Sequence, residues 1–256
     1  MKYAEYKPGL QLAPYIDAYY TLETGALYQP VTRRIFADGC TEIFINLGES
    51  KPVVNNYTIL YPGNIYLGGT MTASNLLNSV PNSRFLGIRF KPSGFSVFYN
   101  LPLDEIVDEI IEFPDKELYA LAELDRQVVT RLDQFFSGRL KNRKYETIIP
   151  ITQTIEKFQG LISVDNVAQT HHVTIRTLER IFSKNIGIPP KEFISIIRFQ
   201  HAAKKLQRDT SGNNLLRIAT DMGYYDHSHL TREIKKYSGL NPSELTGKMA
   251  QLPPAQ

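Results

Sequence analysis

Two stretches of the chain carry guanidinium, hydroxyl and ammonium groups at matched intervals. Residues 218–245 read IATDMGYYDHSHLTREIKKYSGLNPSEL, in which the turn signal Met222-Gly223 separates a short apolar run from a helix whose polar face holds His227, Ser228, Thr231 and Arg232. The same residue types stand 52 positions earlier: Leu178 with Leu230, Arg180 with Arg232, Lys184 with Lys236, Gly187 with Gly239, Pro190 with Pro242 and Glu192 with Glu244. Upstream, Ala168 and Ala219 pair at 51, so the second copy has one extra residue in its turn. Groups of these kinds on one helix face do hydrogen-bonding chemistry on a polyanion. An arginine forks onto a guanine edge, a hydroxyl meets either base, and a lysine serves a phosphate.

Such groups must be held by rigid elements, and each copy supplies them as helix, tight turn, helix and a closing Gly-apolar-x-Pro. Ser163 is placed to cap the first short helix and Thr174 the helix that Gly187 ends. In the second copy Asn213 or Asn214 caps the short helix, Asp226 caps the longer one and Gly239 ends it. The small residues Ala168 and Ala219 let each short helix lie close to its partner. Leu178/Phe182 and Leu230/Ile234 face the core at i, i+4 spacing. Two helices joined in this way form a helix-turn-helix, whose second helix fits a DNA major groove.

Charge supports that direction. The net charge is +3, but residues 150–256 carry 14 Lys+Arg against 9 Asp+Glu, whereas residues 1–149 carry 15 against 17. The C-terminal part is therefore the one suited to an anionic partner. At 256 residues, with 42% hydrophobic and 21% charged content, the chain fits two ordinary globular domains. The opening residues hold no continuous apolar run, and no segment approaches 18 uninterrupted apolar residues; the expectation is a soluble cytoplasmic protein with no membrane partner. One cysteine, Cys40, cannot form an intramolecular disulfide and reads as a small buried residue.

The halves also differ in periodicity. Between Ala37 and Ser96 short alternating runs such as TEIFINLGES and RFLGIRFKPSGF are broken by Pro62-Gly63 and Gly68-Gly69, the pattern of antiparallel strands. From Leu118 the spacing becomes helical, with Leu118, Leu121, Val128, Leu132 and Phe135 on one face, and SGRLKNRKYE then reads as a basic linker. The expected fold is α+β: residues 1–140 an antiparallel β-rich sensor or dimerisation domain with packing helices, residues 141–256 an all-α DNA-binding domain of two helix-turn-helix units joined by a long helix.

Residues 150–250 resemble the paired helix-turn-helix domain of AraC/XylS-type transcription regulators. The resemblance is carried by Val167-Ala168, Leu178-x-Arg180-x-Phe182-x-Lys184 and Gly187-Ile188-x-Pro190, then by Ile218-Ala219, Met222-Gly223-Tyr224, Ser228-His229-Leu230 and Lys235-Lys236-Tyr237-Ser238-Gly239-Leu240-x-Pro242. It implies that Arg176, Glu179 and Arg180 in the first unit and His227, Ser228, Thr231 and Arg232 in the second face bases, while Thr174, Thr177, Lys184 and Lys236 serve phosphates. It also makes residues 191–207 the joining helix, with Phe193, Ile197 and Leu206 inward and Arg198, Lys204 and Lys205 wet. Three positions depart from the pattern. Glu179 replaces a small or neutral residue and could pair with Arg176 or Arg180. His172 stands where the second copy has Gly223, which asks for a left-handed backbone, and Ile234-Lys235 replaces Phe-Lys.

The remaining groups are weighed against the same frame. His171-His172 and His227-x-His229 have no Cys or carboxylate at ligand spacing, so no metal site is expected, and no cofactor either. Residues 36–48, 66–74 and 85–113 resemble an uncharacterised sensor-like domain found ahead of this DNA-binding module, where many relatives carry a cupin-like barrel. All five histidines lie beyond residue 170, which excludes the His-cluster metal site of catalytic cupins from this half. The aromatic runs Tyr19-Tyr20, Tyr57 to Tyr66 and Phe95 to Tyr99 read as core or as a ligand lining. Asp38 and Glu42 lack a base arrangement for catalysis. The expected function is a sequence-specific transcription regulator, not an enzyme, that binds double-stranded DNA. A small effector, a second copy through the Leu121 to Phe135 stripe, and RNA polymerase if it activates are its further partners; effector-binding residues stay unassigned. The alternative is an enzyme that uses the helical domain only for localisation. The acidic run LDEIVDEIIEF, 103–113, hints at a helix.

Overall fold

The computed structural model describes residues 1–122, 125–140, 148–208 and 215–245. The β-rich half contributes β1 (Lys2–Tyr6), β2 (Ile16–Glu23), β3 (Val31–Ile35), β4 (Thr41–Asn46), β5 (Val53–Val54), β6 (Thr58–Ile59), β7 (Ile65–Gly68), β8 (Asn75–Ser79) and β9 (Arg84–Phe90). Helix α1 (Phe95–Phe98), a 3-10 turn at Leu103–Glu105 and β10 (Ile110–Glu112) follow. These strands form two antiparallel sheets, ordered β1-β2-β9-β4-β7-β10 and β3-β8-β5-β6. The antiparallel, β-rich expectation holds, but the sheets do not close into a barrel: β1 and β10 end the larger sheet as edges, paired to β2 and β7.

Alternation along the strands sets two cores. Ile43, Ile45, Leu67, Leu86, Ile88 and Phe90 line one face of the larger sheet and pack with Phe95, Leu103, Leu118, Val128, Leu132 and Phe136. The residues between them, Phe44, Tyr66 and Phe85, point the other way and meet Val54 and Leu60 of the smaller sheet's side. Tyr19 anchors the first core: its ring stacks on Phe136 at 6.4 Å and its hydroxyl donates to Asp133 at 2.9 Å.

Two expectations about helices need correction. The helical spacing from Leu118 to Phe136 resolves into two helices, α2 (Lys116–Ala120) and α3 (Val128–Leu140), because Asp115 and Asp125 each turn a carboxylate onto the amides that follow, Leu118 and Gln127. The expected acidic helix at 103–113 is the 3-10 turn and edge strand β10, since Asp108 takes a left-handed φ of 60° and Ile110-Ile111 pair with β7. Leu118, Val128 and Leu132 are buried in the first core and Phe135 packs against it, so this stripe closes the domain that carries it. Ser137 to Leu140 form the last turn of α3; residues 141–146 of the expected linker lie outside the described residues.

The C-terminal half is helical: α4 (Ile148–Lys157), α5 (Val164–Thr170), α6 (Ile175–Ile186), α7 (Pro190–Arg208), α8 (Leu215–Asp221), α9 (His227–Ser238) and α10 (Pro242–Leu245). Pro190 and Pro242 each open a helix, where a missing N–H leaves nothing unpaired. Ile151, Phe182, Phe193, Phe199, Ile234 and Tyr237 share one core. The cap expected from Asn213 or Asn214 lies outside the described residues. Among the described residues no helix is long and apolar enough to cross a membrane.

Candidate nucleic-acid interface

The repeat folds into two helix-turn-helix units, α5–α6 and α8–α9. Ser163 accepts from the Asn166 amide and starts α5; Thr174 accepts from the Thr177 amide at 3.1 Å and starts α6; Asp226 accepts from the His229 amide at 2.6 Å and starts α9. That bond holds the Asp226 carboxyl below the usual carboxylate range. Gly187 (φ 93°) and Gly239 (φ 69°) end α6 and α9 in the left-handed region. At the turns His172 has φ 52° and Gly223 φ 66°, the left-handed backbone expected at this pair. Ala168, Ala219, Leu178, Phe182, Leu230 and Ile234 are all buried. Because Thr174 satisfies two groups of Thr177, the backbone amide and the side-chain hydroxyl, Thr174→Ala is expected to lower stability by about 1 kcal/mol in urea titration with the slope unchanged.

On α6, Arg176, Glu179, Arg180 and Lys184 are exposed, and Thr177 is half-buried. Among the described residues no ion pair joins Glu179 to Arg176 or Arg180, so all three heads face solvent. On α9, His227 and Arg232 are exposed, and Ser228 and Thr231 half-buried. The Thr231 hydroxyl donates back to the His227 carbonyl at 2.8 Å, which leaves its methyl and a lone pair outward. Lys236 is exposed but its ammonium already donates to Glu192 at 2.6 Å, and Tyr237 shares that carboxylate at 3.1 Å. Arg198 departs from the expected wet position: it lies half-buried over the Tyr224 ring at 4.8 Å, 4.0 Å from Glu233, locking α7 to the second unit. Lys204 and Lys205 are exposed as expected. His229 packs edge-on against Tyr224, and His171 meets Thr154 at 2.9 Å. Among the described residues no three His, Cys, Asp or Glu stand together as a metal site.

The larger sheet carries a second polar group that the reading of Asp38 and Glu42 reached only in part. Arg89 lies 3.6 Å from Glu5, 3.6 Å from Asp17 and 3.7 Å from Glu42, with Tyr20 beneath its guanidinium. Lys7 adds a second cation, 3.4 Å from Glu5 and 4.0 Å from Asp17, so two cations face these three carboxylates and Glu42 depends on Arg89. Burial, with Asp38 nearby, pushes the Glu42 carboxyl up to about 7 against the pull of Arg89. Arg89 stands between Ile88 and Phe90, on the sheet face opposite the first core. A folded-state value above the unfolded one means that the native state holds the proton more tightly. The stabilising contribution is complete below about pH 4.5 and is lost as pH rises through about 7. The unaltered protein is expected to lose urea resistance between pH 5 and pH 8, and Glu42→Gln to reduce that loss.

Comparison with known proteins follows the same division. Residues 4–112 match a domain of unknown function, and residues 167–248 match a helix-turn-helix domain. The C-terminal part is an AraC-type helix-turn-helix domain. This domain is similar to the lactose operon transcription activator of Staphylococcus xylosus, 30% identical over 87 residues, which are 34% of this chain and 30% of that protein. It is similar also to the transcriptional activator AarP of Providencia stuartii, 33% identical over 82 residues, or 32% of this chain and 59% of that one. The transcriptional regulator MtrA of Neisseria gonorrhoeae matches at 23% over 183 residues, 68% of this chain and 58% of that protein. The chain thus spans between 30% and 59% of the length of these relatives. A crystal structure of ToxT from Vibrio cholerae O395 aligns at 12% identity and a TM-score of 0.47, over 89% of this chain and 95% of that one.

Proposed function

We propose that the protein is a sequence-specific DNA-binding transcription regulator of the cytoplasm whose AraC-type domain reads two adjacent major-groove segments of one duplex. The observation that carries this reading is the pair of capped helices, α6 and α9, each presenting an exposed arginine, Arg180 and Arg232, at equivalent positions on its outer face. An exposed guanidinium on a rigid helix is ready to fork onto guanine O6 and N7. Arg176, His227, Ser228 and the Thr231 methyl flank these contacts, and Glu179 is suited to the cytosine amino group. Lys184, Thr174 and Thr177 stand at helix ends suited to phosphate, and Lys236 reaches phosphate on leaving Glu192. Residues 1–140 act as the regulatory domain, through a small effector, a second copy or both, and RNA polymerase is the further partner if the protein activates. No reaction is assigned to the chain.

Fluorescence anisotropy of the full chain on mixed genomic duplexes, titrated with salt, tests this reading. Binding that weakens linearly on a log-log plot, with a slope of several units, is the signature of phosphate neutralisation. Affinity indifferent to salt, or no binding at 50 mM salt, contradicts it.

A further inference from the structure

The β-rich domain does more than sit beside the helical one. Its loop Phe36 to Gly39 lies across α7 at both places where α7 receives the other helices. Phe193 of α7 meets Phe182 of α6 at a centroid distance of 5.7 Å, and Phe199 meets Tyr237 of α9 at 5.3 Å. Gly39 is packed on Phe193 so closely that a β-carbon there would stand 2.8 Å from the ring, and Phe36 packs edge-on against Phe199. Between them, the Ala37 amide donates to the Tyr237 carbonyl in the last turn of α9, and the Ala37 carbonyl accepts from Gln200 of α7 at 3.0 Å.

Further contacts grip the ends of the reading helices. The Thr70 hydroxyl donates to the Ile186 carbonyl, the last residue of α6, and Ser183 of α6 donates to Asp104 at 2.7 Å. A β-carbon on Gly187 would stand 2.5 Å from the Leu103 carbonyl oxygen, and one on Gly239 would meet Arg34, which itself donates to Ser74 at 3.0 Å. The C-terminal ends of α6 and α9 therefore both abut the β-rich domain, while Thr174, Arg176 and Arg180 of α6 and His227 and Arg232 of α9 are exposed.

Each unit packs on α7 in one shared core, so the separation of α6 and α9 changes only as that packing or α7 itself shifts. A third body fixed to both units and to the helix between them opposes such shifts. We infer that the β-rich domain is a brace that sets the distance between α6 and α9, so that Phe36, Ala37, Thr70 and Asp104 position the reading helices and help fix the spacing of the two DNA elements. The spacing clause rests on the DNA-reading proposal; the brace itself does not.

The brace is tested without DNA by pulsed electron-spin distance measurement on the full chain carrying Cys40→Ala, Glu179→Cys and Lys235→Cys, labelled at the two exposed sites. A single narrow distance distribution is expected, broadened about twofold by Thr70→Val with Asp104→Ala, which leaves the apolar cores intact. Adding Phe36→Ala is expected to broaden it further. Unchanged mean and width in both variants overturn the brace. In a second arm, duplexes with the two elements moved one or two base pairs apart are expected to cost the unaltered chain about tenfold in affinity and the Thr70/Asp104 variant about threefold or less. Equal losses overturn the spacing role. Absence of DNA binding by the unaltered chain refutes the DNA reading and the spacing role together, and the distance measurement decides the brace separately.

Discussion

Arg232→Ala is expected to relax discrimination at one base pair by about 1–3 kcal/mol, roughly 5- to 150-fold, and to leave the second element otherwise readable. The expectation follows from position. Arg232 is exposed on α9, is free of ion pairs among the described residues, and stands on a helix whose inner face is fixed by buried Leu230, Ile234 and Tyr237. On such a helix only the arginine side chain, and not the backbone, has to be ordered when the guanidinium engages. Arg180→Ala is expected to act likewise on the other element, because Leu178 and Phe182 hold α6 in the same way. Lys184→Ala, by contrast, is expected to weaken binding to all sequences evenly and to reduce the salt slope by about one. Competition titrations with single-base-pair variants of a bound duplex check the set. Uniform weakening by Arg232→Ala would place it on phosphate and not on a base.

Phe182→Ala is expected to destabilise the helical domain by about 3–5 kcal/mol, a large part of the usual stability of a domain. Its ring is fully buried, packs on Phe193, and belongs to the core that also holds Ile151, Leu178 and Ile186. Truncation removes the ring's transfer energy and leaves a cavity beneath α6, so urea unfolding should move to much lower denaturant and DNA binding should fail first at the first element. Phe158→Ala is the control. That side chain is 48% exposed at the end of α4, and its loss is expected to change stability by about 0.5 kcal/mol or less.

These outcomes also mark how far the sequence could be read. The units were legible because caps and stops are local: Ser163, Thr174 and Asp226 each reach the amide three residues on, and Gly187, Gly239 and the left-handed His172 lie where the repeat puts them. The break between α2 and α3 was less visible, because the Leu118 to Phe135 spacing continues through it although Asp115 and Asp125 start separate helices. Sheet closure depends on which edges meet, and alternation within β1 or β10 carries no information about that. The brace was invisible for the same reason. Thr70 and Ile186 are 116 residues apart and Ala37 and Gln200 are 163, and nothing in either segment alone marks its partner. Arg89 was missed for the same reason: alternation sets it opposite Ile88 and Phe90, and its carboxylates come from β1, β2 and β4.

The most direct test of the central claim is selection of bound duplexes from a random DNA library by the purified full-length protein. An enriched site is expected of two short elements with centres about one helical turn apart on one face of the duplex, each containing a guanine contact that Arg180→Ala or Arg232→Ala relaxes separately. No enriched sequence, or an enriched site that neither substitution alters, would contradict that claim.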